Sequence, residues 1–348
     1  MKIAVVGVGG IGGVLAATMT RAGYDVTPVV GNPTIADALS NFGYRVRELD
    51  GDEWSVPVAH PPLLKLSASD GPFDLLLCVT QSTTMEEALR SALPCLHDRS
   101  VVVVCQNGLP EARAAAIVGE RRLLGGVVGW AASMPKPGSY IRTSRGEIKL
   151  GKPTDSAPDP KSIEKILSAA SGVDIVDDLD GVRWSKLAIN CVTTTLGAVG
   201  GGTLGGLLRH RSVRRLALEI FAEVRAVAEA SGVRVQPIAG TFDIERIAIT
   251  DGERDTTFGT PSLALKHSML LAVGFKYRRL RSSMLYALER GRPPEIDFLN
   301  GEVARRGKTL GVSTPVNAAL VDEVAAIAAG KTRSSVERLR AVYARSLS

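Results

Sequence analysis

The sequence predicts an α/β protein of two domains: a doubly wound α/β domain over residues 1–178 and an all-helical domain over 179–348. Three observations carry this. Apolar runs of strand length alternate with helical stretches as far as Val176 and then stop. A glycine-rich turn joins the first such run to the first helical stretch. A chain of 348 residues also exceeds what one hydrophobic core usually organises.

Lys2–Gly7 reads as an apolar strand, Gly10–Ala22 as a helix closed by Gly23, and Asp25–Val30 as a second strand. Asp74–Thr80 and Ser100–Cys105 are continuous apolar runs, the pattern of parallel strands covered on both faces, with a helix over Met85–Leu93 between them. Leu123–Gly129 and Gly146–Leu150 extend the sheet, Lys161–Ala170 is a helix, and Val173–Val176 is the last strand. Helical periodicity then takes over in Gly181–Val199 and Val213–Ala230. Thr260-Pro261 caps Ser262–Phe275. Ser282–Glu289, Ile296–Leu310, Val316–Ala329 and Ser334–Ser346 complete the chain, the first three stopped by Gly291, Gly311 and Gly330.

Composition excludes several classes. Hydrophobic residues at 45% and charged residues at 22% mark an ordered globular chain. No apolar run reaches the ~18 residues of a membrane span, and the first residues lack signal-peptide character. Cys78, Cys95, Cys105 and Cys191 form no C-x-x-C pair, and the four histidines are scattered, so neither metal ligands nor a disulfide framework is expected. The expectation is a cytoplasmic protein of a reducing compartment. A net charge of +6 would suit nucleic acid, yet aromatics are only 5% and no nucleic-acid motif accompanies it. The basic stretch Lys276–Arg292 reads as a solvated helix face or a rim that attracts an anionic ligand.

Gly7-Val8-Gly9-Gly10-Ile11-Gly12 is G-x-G-x-x-G, placed directly after a strand and at the head of a helix. There Gly7 permits the tight turn, Gly9 admits a pyrophosphate to the backbone, and Gly12 lets helix and strand pack, while the helix N-terminus with Gly10 and Ile11 offers amide donors. The domain is therefore Rossmann-like and the ligand a dinucleotide. The second strand ends at Gly31-Asn32, with neither the acid that reads an NAD ribose nor the arginine that reads an NADP phosphate; Asn32 suits either.

In Trp184-Ser185-Lys186-Leu187-Ala188-Ile189-Asn190-Cys191-Val192-Thr193-Thr194, Lys186, Asn190 and Thr194 share one helical stripe. Such a lysine can protonate a developing alkoxide while the amide orients a carbonyl substrate; on the stripe alone, a solvated lysine on an ordinary helix face is the slightly better fit. Gln106-Asn107-Gly108-Leu109 follows an apolar strand at the edge where α/β sheets bind ligands, and Ser282-Ser283-Met284 precedes Gly291-Arg292-Pro293-Pro294-Glu295-Ile296-Asp297-Phe298-Leu299-Asn300-Gly301.

Taken together and in this order, these motifs resemble the ketopantoate reductase family over residues 7–301. The resemblance implies NAD(P)H-dependent reduction of a small 2-oxo acid, by default 2-dehydropantoate to pantoate, with NADP the expected cofactor and NAD the alternative. It implies Lys186 as general acid and Glu295 as the carboxylate that positions it. Asn107 matches the residue between nicotinamide and substrate, and Asn190 and Ser283 match residues that hold the oxo acid. Departures are Gln81 for a lysine near the cofactor, Gly31 for an arginine, Thr194 for a second substrate-facing asparagine, and Ala287 for an aspartate. They imply drifted pockets around intact chemistry, so another branched 2-oxo acid is an alternative substrate. A β-hydroxy acid dehydrogenase would lack the Ser283–Glu295 segment, and a non-catalytic dinucleotide sensor would not need both Lys186 and Glu295. The helical domain is expected to offer a homodimer surface.

Overall fold

The structure is a computed structural model and describes residues 1–237, 243–254 and 259–346. It divides into two compact units, one of residues 1–106 and 110–179, the other of Asn107–Leu109 with the chain from Asp180 onward.

The first unit holds eleven strands in two sheets: β1 (Lys2–Val6), β2 (Asp25–Val29), β3 (Tyr44–Arg47), β4 (Glu53–Val56), β5 (Phe73–Cys78), β6 (Leu96–Val104), β7 (Leu123–Val128), β8 (Ala132–Lys136), β9 (Ser139–Arg142), β10 (Ile148–Gly151) and β11 (Val173–Val176). Seven form a sheet in the order β11-β10-β7-β6-β5-β1-β2. The five strands from β7 to β2 are parallel. Their apolar runs are continuous because both faces are covered: Ile3, Val5, Leu75, Leu77 and Val103 enter one core, and Ala4, Val6, Leu76, Cys78 and Val102 the other. The sheet is not parallel throughout, since β10 runs antiparallel to β7 and β11 follows β10. The chain between β7 and β10 contains the β8–β9 hairpin and no crossover helix, so it returns in the opposite direction.

The second sheet, β4-β3-β9-β8, and the helices Pro33–Phe42 and Glu111–Val118 are additions to the elements expected from the sequence. β3 is Tyr-Arg-Val-Arg, buried at alternate positions, and pairs in parallel with β9 some ninety residues away, a partner that local pattern cannot reveal. Tyr140 of β9 fills the space beside Gly13 on helix Gly10–Arg21, where a Cβ would lie 1.9 Å from its ring.

The second unit is built from helices. Leu179–Gly200 is packed by Arg211–Ala230, Asn300–Leu310, Pro315–Ala328 and Val336–Ser346 in one apolar core that includes Trp184, Leu187, Cys191, Leu216, Phe221, Val303 and Leu320. Thr260 caps Pro261–Lys276 by accepting from the Leu263 amide at 3.0 Å, and Gly311 ends Asn300–Leu310 at φ +71°. The helix expected from Ile296 begins only at Asn300. Ile296–Phe298 is a 3₁₀ turn, separated from it by the non-helical Leu299 at φ −115°, ψ −102°. After the long helix, Gly205 permits a close approach of two helices: a Cβ there would stand 2.5 Å from the Gly274 carbonyl oxygen. Among the described residues no helix is long and apolar enough to cross a membrane.

Candidate active site

The glycine turn between β1 and helix Gly10–Arg21 separates into two kinds of position. Gly7 stands at φ +97°, and a Cβ there would lie 2.6 Å from the Thr80 amide nitrogen. A Cβ on Gly12 would lie 2.1 Å from the Gly7 carbonyl oxygen, and one on Gly10 2.3 Å from the Ala132 carbonyl oxygen. These three glycines are required by the protein itself. Gly9 is different, because a Cβ there meets nothing within 4 Å. Open space thus faces a helix whose first-turn amides have no intrahelical acceptors and whose first turn carries no acidic side chain. The arrangement fits a pyrophosphate.

Around the turn, Asn32 caps helix Pro33–Phe42, its Oδ1 accepting from the Thr34 amide at 2.9 Å. Gly31 adopts φ +60°, a left-handed conformation that gives glycine at this position a backbone reason. Gln81 is exposed just beyond β5. Gln106 has a role that its motif alone does not reveal. Buried at the end of β6, it donates through Nε2 to the carbonyls of Cys78 and Thr80, both at 3.1 Å, and so ties the loop after β5 to the loop carrying Asn107. Its place in the same motif as Asn107 was the available signal.

Gly7, Gly9, Gly10, Ile11, Gly12, Asn32 and Gln81 belong to the first unit; Asn107, Lys186, Asn190, Thr194, Ser283 and Glu295 belong to the second. The segment Asn107–Leu109 is held there by Gly108, at φ +86°, where a Cβ would approach the Phe298 carbonyl oxygen to 2.4 Å.

Helix Leu179–Gly200 is buried on nearly all sides. Between Gly181 and Gly200 only Lys186, Ile189, Thr193 and Thr194 keep partial exposure, the stripe on which Asn190 also lies. Burial, with a smaller contribution from the nearby Arg183 cation, lowers Lys186 from its ordinary value to about 8. Asn190 is 9% exposed and its Nδ2 is buried with no hydrogen-bond partner, a donor held ready on that stripe. The Thr194 hydroxyl turns back to donate to the Asn190 carbonyl of its own helix. Glu295 is half-buried at the head of the Ile296–Phe298 turn, and its side chain makes no capping hydrogen bond to that turn.

Ser283 is exposed as the first residue of helix Ser283–Glu289, and the preceding Ser282 places it. Ser282 Oγ donates to the Thr194 carbonyl at 2.6 Å and accepts from the Leu285 amide at 3.1 Å. Gly197 makes the approach feasible, since a Cβ there would fall 2.4 Å from Ser282 Cβ. Glycine-to-alanine inside a helix normally stabilises by up to about 1 kcal/mol. Here the sign should reverse: Gly197→Ala is expected to lose about 1–3 kcal/mol through overpacking. Ser282→Ala should lose about 1 kcal/mol. Urea unfolding checks both, and a stabilised Gly197→Ala would show that the two helices are not held this closely.

Comparison with known proteins agrees with this architecture. The family model described as "Ketopantoate reductase PanE/ApbA" matches residues 3–155, and its counterpart "Ketopantoate reductase PanE/ApbA C terminal" matches residues 178–328. A 2-dehydropantoate 2-reductase of Mesorhizobium japonicum is 28% identical, covering 97% of this chain and 99% of its own. One from Mycobacterium tuberculosis is 26% identical over 94% and 98%. Among solved structures, a PanE/ApbA family ketopantoate reductase from Ralstonia eutropha superposes with a TM-score of 0.78 at 27% identity, over 95% of this chain and 99% of the other. A D-mandelate dehydrogenase solved with NADH and anilino(oxo)acetate shares the fold, with a TM-score of 0.79 at 19% identity and coverage of 95% and 99%. The chain belongs to the ketopantoate reductase family.

Proposed function

We propose that this protein is an NAD(P)H-dependent oxidoreductase that reduces a small 2-oxo acid to the 2-hydroxy acid, with 2-dehydropantoate as the default substrate. The observation that supports it most is the open stripe of helix Leu179–Gly200, where a lysine lowered to about 8 lies one turn from an unpartnered buried amide donor. At neutral pH Lys186 carries a proton that it can release, and it gives that proton to the C2 oxygen. Asn190 and Ser283 hold the oxo acid, Thr194 lines the pocket beside its tail, and Asn107 orients the reacting carbon. Glu295 positions the Lys186 ammonium. The turn at Gly9, with the Gly10, Ile11 and Gly12 amides, holds a nicotinamide dinucleotide, which when bound supplies the hydride; Asn32 and Gln81 flank it.

NADP is the preferred assignment, with weak discrimination against NAD, within about tenfold or 1.4 kcal/mol, because Gly31 provides no cation for a 2′-phosphate. The four cysteines are free thiols, which fits a cytoplasmic setting. Exposed Leu265, Leu271 and Phe275 on helix Pro261–Lys276 fit a homodimer.

The test is nicotinamide fluorescence with a panel of 2-oxo acids. With Thr194 turned back to its own helix and Ala287 apolar, acids with branched apolar tails are expected to compete well with 2-dehydropantoate. Thr194→Asn should shift the kcat/KM ratio towards 2-dehydropantoate by roughly 1–2 kcal/mol, the scale of one hydrogen bond. A wild type that already prefers 2-dehydropantoate by several orders of magnitude would contradict the loosened pocket, and no turnover with any 2-oxo acid would contradict the reductase.

A further inference from the structure

We propose that Asn300 is a positioning residue for this reaction, locking the turn that carries Glu295 to the helix that carries Lys186 and Asn190. The inference rests on the reductase reading above and adds to it a part that no motif of substrate or cofactor contact would require.

Asn300 is fully buried, and its side-chain amide sits where three elements meet. Its Oδ1 accepts from the Thr195 hydroxyl at 2.5 Å, and its Nδ2 reaches the Cys191 carbonyl oxygen at 3.4 Å. Both partners belong to the long helix, and Cys191 directly follows Asn190. Nδ2 also donates to Asn317 Oδ1 at 2.9 Å. Asn317 in turn donates through Nδ2 to Glu223 at 2.6 Å and through its backbone amide at 2.9 Å, while the Val316 amide donates to the other carboxylate oxygen at 2.8 Å. A chain of hydrogen bonds therefore runs from a carboxylate anchored at a helix N-terminus to the backbone beside Asn190.

At its other end the same asparagine is rigidly linked to Glu295. Only Ile296–Leu299 separates them. Phe298 N donates to the Glu295 carbonyl oxygen at 3.1 Å, Leu299 N donates to that of Ile296 at 3.1 Å, and the Ile296 and Leu299 side chains are buried. Apolar side chains would fill this core at lower cost than two amides, a hydroxyl and a carboxylate. What the polar network adds is direction: hydrogen bonds fix the rotation and depth of one helix against its neighbour, whereas apolar packing alone tolerates shifts. The position that gains from this is the Lys186–Asn190 stripe, which must meet Glu295 in one register.

Two variants test the proposal. Asn300→Leu removes every side-chain bond while keeping the branched shape, and Thr195→Val removes one bond with little change of shape. For each we compare thermal stability, dinucleotide binding, kcat per active site, its pH profile, and the pH dependence of Lys186 acetylation read by mass spectrometry. The expected result for Thr195→Val is a cooperative fold and dinucleotide binding within twofold of wild type. Its kcat should fall about tenfold, and Lys186 should label only at higher pH as water reaches a loosened site. Asn300→Leu should move in the same direction and further, and if it does not fold, Thr195→Val alone decides. A Thr195→Val protein that is less stable but keeps the wild-type kcat per site, pH profile and Lys186 labelling would overturn the proposal. The labelling does not depend on turnover. A wild type inert on every 2-oxo acid would therefore defeat the reductase reading, while a labelling shift in Thr195→Val would still support the coupling of Asn300 to Lys186 and its absence would refute it.

Discussion

Replacing Lys186 by alanine is expected to lower kcat by roughly 10²–10⁴, the usual contribution of a positioned general acid, with dinucleotide affinity nearly unchanged. The pH dependence follows from the same residue. Burial and the Arg183 charge lower Lys186 to about 8. A general acid must be protonated, so kcat for reduction should be flat below that value and fall as pH rises through it, and the alanine variant should lack this limb. Stability carries a second signature. Between about pH 8 and the ordinary lysine value of 10.5 the unfolded chain binds more protons at this position than the folded one, so stability should rise with pH across that window. Lys186→Ala should abolish the rise. Turnover of the variant near that of wild type would show that the proton comes from elsewhere.

How much of this was legible in the sequence depended on whether the determining interaction was local. The parallel strands were readable because burial on both faces demands uninterrupted apolar runs, as in Val101–Val104. The β3–β9 pairing was not, since it joins segments some ninety residues apart, each short and half polar. The Lys186–Asn190–Thr194 stripe was visible as a spacing, but spacing says nothing about its surroundings. Only the structure shows that most of the helix around it is buried and that Asn190 Nδ2 is left without a partner. Glu295 was read as standing before a helix; the periodicity of Ile296–Leu310 hides the 3₁₀ turn, because its three residues satisfy the same pattern. Ser282 and Asn300 were present in the motifs quoted for the family, yet their roles are set by carbonyls and side chains on another helix, which no single sequence displays.

The glycine turn gives the second large effect, and it separates binding from folding at one residue. Gly9→Val is expected to weaken both NADH and NADPH by at least a hundredfold, or about 2.8 kcal/mol, with the fold retained. The retention follows from the backbone: Gly9 stands at φ −81°, ψ −155°, an extended geometry with no positive φ to reserve it for glycine, and a Cβ there meets no protein atom within 4 Å. Loss of glycine at a helix N-cap should cost no more than about 1 kcal/mol. The branched side chain would instead project into the space through which a pyrophosphate must approach the first-turn amides. Alanine at Gly12 makes the contrast, because its Cβ would press to 2.1 Å on the Gly7 carbonyl oxygen and should destabilise the unit before any ligand is added. Fluorescence titration with each dinucleotide, alongside thermal unfolding, distinguishes the two. If Gly9→Val binds both cofactors as wild type does, the dinucleotide does not lie across this turn, whatever the glycine pattern resembles.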